Sequence, residues 1–154
     1  MSNLTPVHSG KRAVVAVIHA QNQFLAIRRS QMVKAPGKIC FPGGTINPGE
    51  TEEAALVREV EEELGISSRL GPRLYHNFTS WGTSVAWWSV EIAPDAVPVL
   101  QFEEVADWQW MCPRVMLRHP DLLSSNRDFL TAWRRQAFLI PGIGVPAGWG
   151  DSDD

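Results

Sequence analysis

Cysteine is scarce in this chain: Cys40 and Cys112 are the two among 154 residues. They share no paired spacing with each other or with the four histidines, which excludes a disulfide scaffold and a zinc knuckle and predicts a reducing, cytoplasmic setting. Positive charge is also in deficit, with 14 Lys and Arg against 17 Asp and Glu and a net charge of −3. A protein that lives on duplex nucleic acid carries a basic surplus, so that class is excluded, whereas a local basic pocket for a small anion is not. No apolar run approaches the ~18 residues of a membrane span, and the opening MSNLTPVHSGKR lacks the apolar core of a signal segment; no membrane partner and no targeting are expected. Internal repeats and low-complexity tracts are missing too. What is present is ordinary for a globular chain, 44% hydrophobic and 20% charged. The length predicts a single domain over residues 1–154, with a loose arm at 1–10 and a Pro/Gly-rich acidic tail at 141–154 that reads as a surface strap or a frayed end.

Two β-branched runs, AVVAVIHA (13–20) and FLAIRR (24–29), predict a strand pair joined by a tight connection. Residues 30–49 turn to Pro and Gly and read as loop, with a short extended piece at 39–41. The spacing predicts a helix over 51–64. Thr51 suits its N-cap, Glu52 and Glu53 suit its positive start, and Gly65 sits where a C-terminal glycine belongs. RLYHNFTS and TSVAWWSVEI flank a Trp81-Gly82 turn and predict an antiparallel pair. In the second of these strands Ala86, Trp88, Val90 and Ile92 share one face and Val85 and Trp87 the other, so it should be covered on both sides. WQWMC (108–112) predicts a further strand, and 126–138 a last helix with Phe129, Leu130, Trp133 and Ala137 inside. The order predicts an α/β fold, a mixed sheet between helices.

The helix at 51–64 carries the chemistry. With about 100° per residue, Glu62 and Glu63 fall within about 60° of Glu59, beside an apolar stripe of Leu56, Val57, Val60 and Leu64 centred roughly 115° away. Like charges at i,i+3 and i,i+4 repel by a few tenths of a kcal/mol each, and the helix dipole disfavours them in the last turns. Arg58 can relieve Glu61 or Glu62 but not all the acids; a divalent cation would. Taken alone, EVEEEL also reads as a solvated acidic face.

The surrounding residues decide between these readings. The stretch GTINPGETEEAALVREVEEELGI (44–66) follows the pattern G-x5-E-x7-R-E-U-x-E-E-x-G-U, with U aliphatic and every fixed position filled. At ordinary residue frequencies such a match arises by chance on the order of 10⁻⁹ per start site. It resembles the Nudix box. The resemblance implies an α/β/α sandwich of the Nudix type and a hydrolase acting on acid anhydrides, cleaving the diphosphate bond of a nucleoside di- or triphosphate derivative with Mg²⁺ or Mn²⁺. It implies metal ligands at Glu59, Glu62 and Glu63 with the Gly44 carbonyl, an orienting role for Arg58, and a bracing partner for it in Glu50. Glu59 is also the expected general base, and a homodimer is expected from family habit. The chemistry is consistent with this: carboxylate oxygens are the hard ligands these cations prefer, and a Gly-Gly turn lets backbone come close to a bound cation.

Outside the box the signals are shorter. RSQMVKAPGKICFPGG (29–44) resembles the extra motif of coenzyme A diphosphatases at Arg29-Ser30 and at Gly37-x3-Phe41-Pro-Gly-Gly. It departs at Lys34, where that motif has arginine, and its spacer is one residue short. Arg28, Arg29, Lys34 and Lys38 are candidates to meet phosphates. Glu103 or Glu104, in QFEEVADW, is either an additional acid for the site or part of a solvated turn. Of seven tryptophans, Trp88 and Trp133 read as core, while Trp81 and Trp87 are candidates for stacking a base or meeting a partner. Two other classes remain open on the same fold: a non-catalytic nucleotide-sensing module, which often loses box carboxylates that are all kept here, and a coenzyme A diphosphatase. A diphosphate isomerase and an RNA-decapping enzyme fit less well, for want of a suitable cysteine setting and of a basic extension.

Overall fold

The computed structural model describes residues 10–149; most of the expected N-terminal arm and residues 150–154 of the acidic tail lie outside them. In chain order the elements are β1 (Arg12–Ala20), β2 (Gln23–Arg29), β3 (Ile39–Cys40), β4 (Gly43–Thr45), α1 (Glu52–Leu64), β5 (Arg69–Phe78), β6 (Ser84–Glu91), β7 (Val105–Met111), α2 (Pro113–Arg118) and α3 (Ser124–Arg134). The first connection is a two-residue turn in which Gln21 and Asn22 both have positive φ, 52° and 62°. That twist matches the strands on either side and closes a tight hairpin.

β1 is the centre of the sheet. It runs parallel to β6 from Arg12↔Ser84 to Ile18↔Val90, pairs with β4 through Ala13–Val15, and meets β2 at its far end. β5 lies antiparallel beside β6, and β2 is flanked by β3 and β7, both antiparallel. Alternation splits β1 between two cores: Val14, Ala16 and Ile18 pack with Leu56, Val60 and Leu64 of α1, whereas Val17 packs with Phe129, Leu130 and Trp133 of α3. The result is the expected α/β/α sandwich around a mixed sheet. β6 serves both cores as its residue pattern required, with Ala86 and Val90 on one side and Val85 and Trp87 on the other.

Several elements differ from the sequence reading. β4 and α2 were not expected; α2 spans six residues, too few to show a helical period, although Pro113 opens it where proline is favoured. β5 starts at Arg69 and crosses Gly71-Pro72, which an edge strand tolerates by shifting register between Leu70 and Arg73. α3 ends at Arg134 instead of 138, because Gln136 takes φ 63°, and Ala137 is exposed. Val57 is 39% exposed, whereas Glu59 and Glu63 join the buried side of α1. Trp87, offered as a stacking platform, is fully buried: its ring stacks on Phe129 at 4.4 Å and its Nε1 donates to Asn77. Residues 141–149 of the expected tail form a strap, with Ile143 and Trp149 buried against α2 and α3.

Candidate active site

Gly43 sits where only glycine fits, and a side chain at Gly44 would displace the Glu59 carboxylate. A Cβ on Gly43 would run into the backbone of Val14 and Val15 on β1, and one on Gly44 would lie 2.5–2.6 Å from the Glu59 carboxylate atoms. The close approach has a direct consequence: the Gly43 N–H donates to Glu63 Oε1 at 2.8 Å, which ties the loop end to α1. α1 itself is placed by its caps. Thr51 Oγ1 accepts from the Ala54 N–H at 3.0 Å, and the Gly65 N–H donates to the Glu61 carbonyl.

Arg58 organises the acids. Its Nε and Nη2 make a two-point fork onto Glu50 at 2.7 and 2.8 Å, Nη1 donates to Glu59 Oε1 at 2.8 Å, and Nη2 also reaches the Thr45 carbonyl at 3.0 Å. A longer contact of 3.3 Å runs to Glu62. Glu50 in turn accepts from the Asn47 N–H, so loop, helix and carboxylates form one network. Arg58 and then that N–H hold the Glu50 carboxyl down at about 2. The reciprocal effect, led by Glu50, raises Arg58 beyond its ordinary range.

The inner acids are perturbed in the opposite sense. Burial, and then the charge of Glu59, push Glu63 up to about 8 against the lowering effect of the Gly43 N–H. Glu59 is also raised, first by burial, with Arg58 opposing and Glu62 and Glu104 adding repulsion. Glu104, at the entry to β7, completes the group, and its Oε2 is buried without a hydrogen-bond partner. Glu59, Glu63 and Glu104 line one cleft of about 240 Å³ together with Gly44 and Arg29. Among the described residues no three acid, His or Cys side chains stand ready-made as a ligand set; Arg58 and the Gly43 N–H are bonded to Glu59 and Glu63. The donors nonetheless fit a hard divalent cation: oxygen ligands in excess of neighbouring positive charge, one of them buried and unsatisfied.

A second cleft of about 180 Å³ adjoins the first across Gly43, Gly44 and Arg29. Its walls include Phe41, Thr79, Trp81, Thr83 and Asn126. Trp81 is 65% exposed at the β5–β6 turn. Asn126 is buried and accepts the Phe41 N–H at 2.8 Å.

Residues 9–133 match the family model described as the NUDIX domain. The chain belongs to the Nudix family. Among relatives of this Nudix domain, the 8-oxo-dGTP diphosphatase of Escherichia coli K12 is 35% identical over 82 residues, covering 51% of this chain and 64% of that protein. The CTP pyrophosphohydrolase of the same organism is 29% identical over 107 residues, covering 70% and 79%. Of solved structures, the MutT protein of Methanosarcina mazei Go1 superposes with a TM-score of 0.68 at 26% identity, covering 88% of this chain and 99% of that one.

The Nudix box residues named from the sequence, Gly44, Glu50, Arg58, Glu59, Glu62 and Glu63, are thus brought together, with Glu62 on the outer, more exposed flank. Arg29 lines both clefts and Trp81 the second. Arg28 and Lys38 line neither. Arg28 instead donates to the Gly37 carbonyl at 2.7 Å and pairs with Asp121 at 3.0 Å, and Lys38 lies near that same aspartate. The sequence reading missed Asn126 as a cleft residue. Its signal was a polar side chain on the stripe of Phe129, Leu130 and Trp133, three, four and seven positions on. Of Glu103 and Glu104, only Glu104 lines the cleft with Glu59 and Glu63; both acids line the adjoining groove that holds Glu62.

Proposed function

We propose that this Nudix domain hydrolyses the diphosphate bond of a nucleoside di- or triphosphate derivative, with Mg²⁺ or Mn²⁺ as its cofactor. The observation that carries the reading is the convergence of Glu59, Glu63 and the unsatisfied Glu104 oxygen around Gly44, beside the guanidinium of Arg29. Glu59, Glu62 and Glu63, with the Gly44 carbonyl and Glu104, are the residues that would hold the cation. When bound, the cation supplies charge neutralisation for a diphosphate and a lowered pKa for an attacking water. Arg58 keeps Glu59 turned toward Gly44 and braces the loop through Glu50. Glu59 takes the proton of the water, Arg29 meets a phosphate, and Trp81 stacks the base over the second cleft. The free thiols of Cys40 and Cys112 support a reducing, cytoplasmic setting. No described helix is long and apolar enough to cross a membrane.

The relatives named above supply the first substrates to try, 8-oxo-dGTP and CTP, alongside nucleotide sugars, dinucleotides and coenzyme A. Phosphate release is measured with Mg²⁺, with Mn²⁺ and with EDTA, and the products are separated by chromatography. One substrate turned over far faster than the rest, and only with metal, is the expected result. Silence across the panel with metal binding intact would overturn the reading in favour of a sensing module.

A further inference from the structure

Just past the end of β2 stands an unusually committed residue. Ser30 is 4% exposed and commits both its N–H and its hydroxyl to the chain around it. Its N–H donates to the Glu104 carbonyl at 3.0 Å, its hydroxyl donates to the Glu103 carbonyl at 2.7 Å, and the same oxygen accepts the Met32 N–H at 3.1 Å. These contacts lie just past the bulge between Arg28 and Arg29, where the β2–β7 ladder loses its regular register. The 101–104 turn is therefore held from two sides. Toward β2 the clamp is Ser30; toward α1 the Gln101 N–H reaches the Glu63 carbonyl at 3.4 Å. The turn itself closes on the Gln101 carbonyl, which accepts from the Glu104 and Val105 N–H groups.

Glu104 makes no hydrogen bond through its buried Oε2 that would fix its own carboxylate. The place of that carboxylate beside Glu59 and Glu63 follows from where its backbone is pinned. We propose that Ser30 is a positioning residue of the metal site, holding the Glu103–Glu104 backbone so that the Glu104 carboxylate lines the cleft with Glu59 and Glu63, where these residues would hold a cation. The inference rests on the hydrolase reading above and extends it to a side chain that touches neither substrate nor metal. Such outer partners set ligand orientation, and their loss shows in metal affinity more than in fold.

The test uses the full chain and Mn²⁺ alone, titrated and followed by its electron paramagnetic resonance signal, with thermal midpoints of the metal-free proteins as a fold check. Ser30→Ala is expected to weaken Mn²⁺ binding about tenfold, the low end of the usual range for lost outer-sphere partners. The double variant Ser30→Ala/Glu104→Gln is expected to bind no worse than Glu104→Gln alone, since both changes remove one and the same ligand. Ser30→Ala at wild-type affinity, or a double variant that loses the product of the two single losses, overturns the proposal. If Ser30→Ala does not fold, Ser30→Cys keeps the size with a much weaker donor and is expected to lose affinity in the same direction. Glu63→Gln run in parallel separates the two claims: wild-type Mn²⁺ affinity there would sink the metal-site reading itself, whereas a loss there with Ser30→Ala unchanged sinks only the role of Ser30.

Discussion

Glu63 is an acid whose ionisation its surroundings oppose. It is buried, faces Glu59 and Glu104, and has the single Gly43 N–H in direct support. Replacing the carboxylate by an amide keeps an acceptor for that N–H and removes the repulsion. Glu63→Gln is therefore expected to fold with an unchanged or higher thermal midpoint in the absence of metal, while turnover falls by roughly 100-fold. A variant with near wild-type kcat would refute the metal assignment. Gly44→Ala probes the same place from the backbone side. The added Cβ displaces the Glu59 carboxylate, so Mn²⁺ affinity and kcat are expected to drop together with far-ultraviolet circular dichroism unchanged. The box residues were legible because their spacing on a helix is a chemical statement in itself. Glu104 was ambiguous, since nothing in QFEEVADW says which acid a turn will aim inward. Arg28 and Lys38 were named for charge alone, and charge does not reveal a partner such as Asp121 ninety-three positions away in the chain.

Among the elements, α1 is the best anchored at its start. Thr51→Ala removes the acceptor for the Ala54 N–H and should cost about 1 kcal/mol, seen as a drop of a few degrees in thermal midpoint. The same turn governs acid stability. Glu50 is held at about 2 against an ordinary value of 4.5. Burial alone would raise Glu52, but Arg73 and the Trp88 indole N–H outweigh it and lower it. A depressed carboxylate in the folded state means that the unfolded chain binds more protons over that window. Their stabilisation is thus complete above the ordinary carboxylate range and is lost as pH falls toward 2. Urea midpoints are expected to decline from about pH 4.5 downward, with a shallower decline in Glu52→Gln; an equal slope in both would count against the assignment. Strand faces were equally readable, as β6 shows, but periodicity says which side a residue faces and not what lies there. Trp87 and Trp88 illustrate the point: the first is sealed under Phe129, while the second keeps a polar edge for Glu52. A six-residue helix such as α2 falls below what any period can reveal.

At the scale of the whole molecule, two cores share one sheet, and the α3 side is finished by residues far along the chain. Trp149 packs edge-on against Trp133 at 6.2 Å and lies under the guanidiniums of Arg114 and Arg134. It lines neither cleft. Trp149→Ala is expected to cost about 3 kcal/mol of stability with kcat unchanged at temperatures where the variant is folded. Loss of activity in step with stability would instead tie the strap to the site. The sandwich was legible from element order and from the box. The tail could be read as a strap or a frayed end, but not as a packed strap, because a Pro/Gly-rich stretch says nothing of the tryptophan it delivers to a core.

Cys40 closes the floor of the second cleft, buried, with desolvation pushing its thiol up to about 12. Burial and the raised thiol both leave an alkylating reagent almost no nucleophile there near neutral pH. Cys112 is partly exposed at the start of α2, within reach of a reagent in solution. The native protein should therefore take up one fluorophore per chain and the unfolded protein two. The slow arrival of the second label becomes a clock for how often the floor beneath the cleft opens, readable without any substrate in hand.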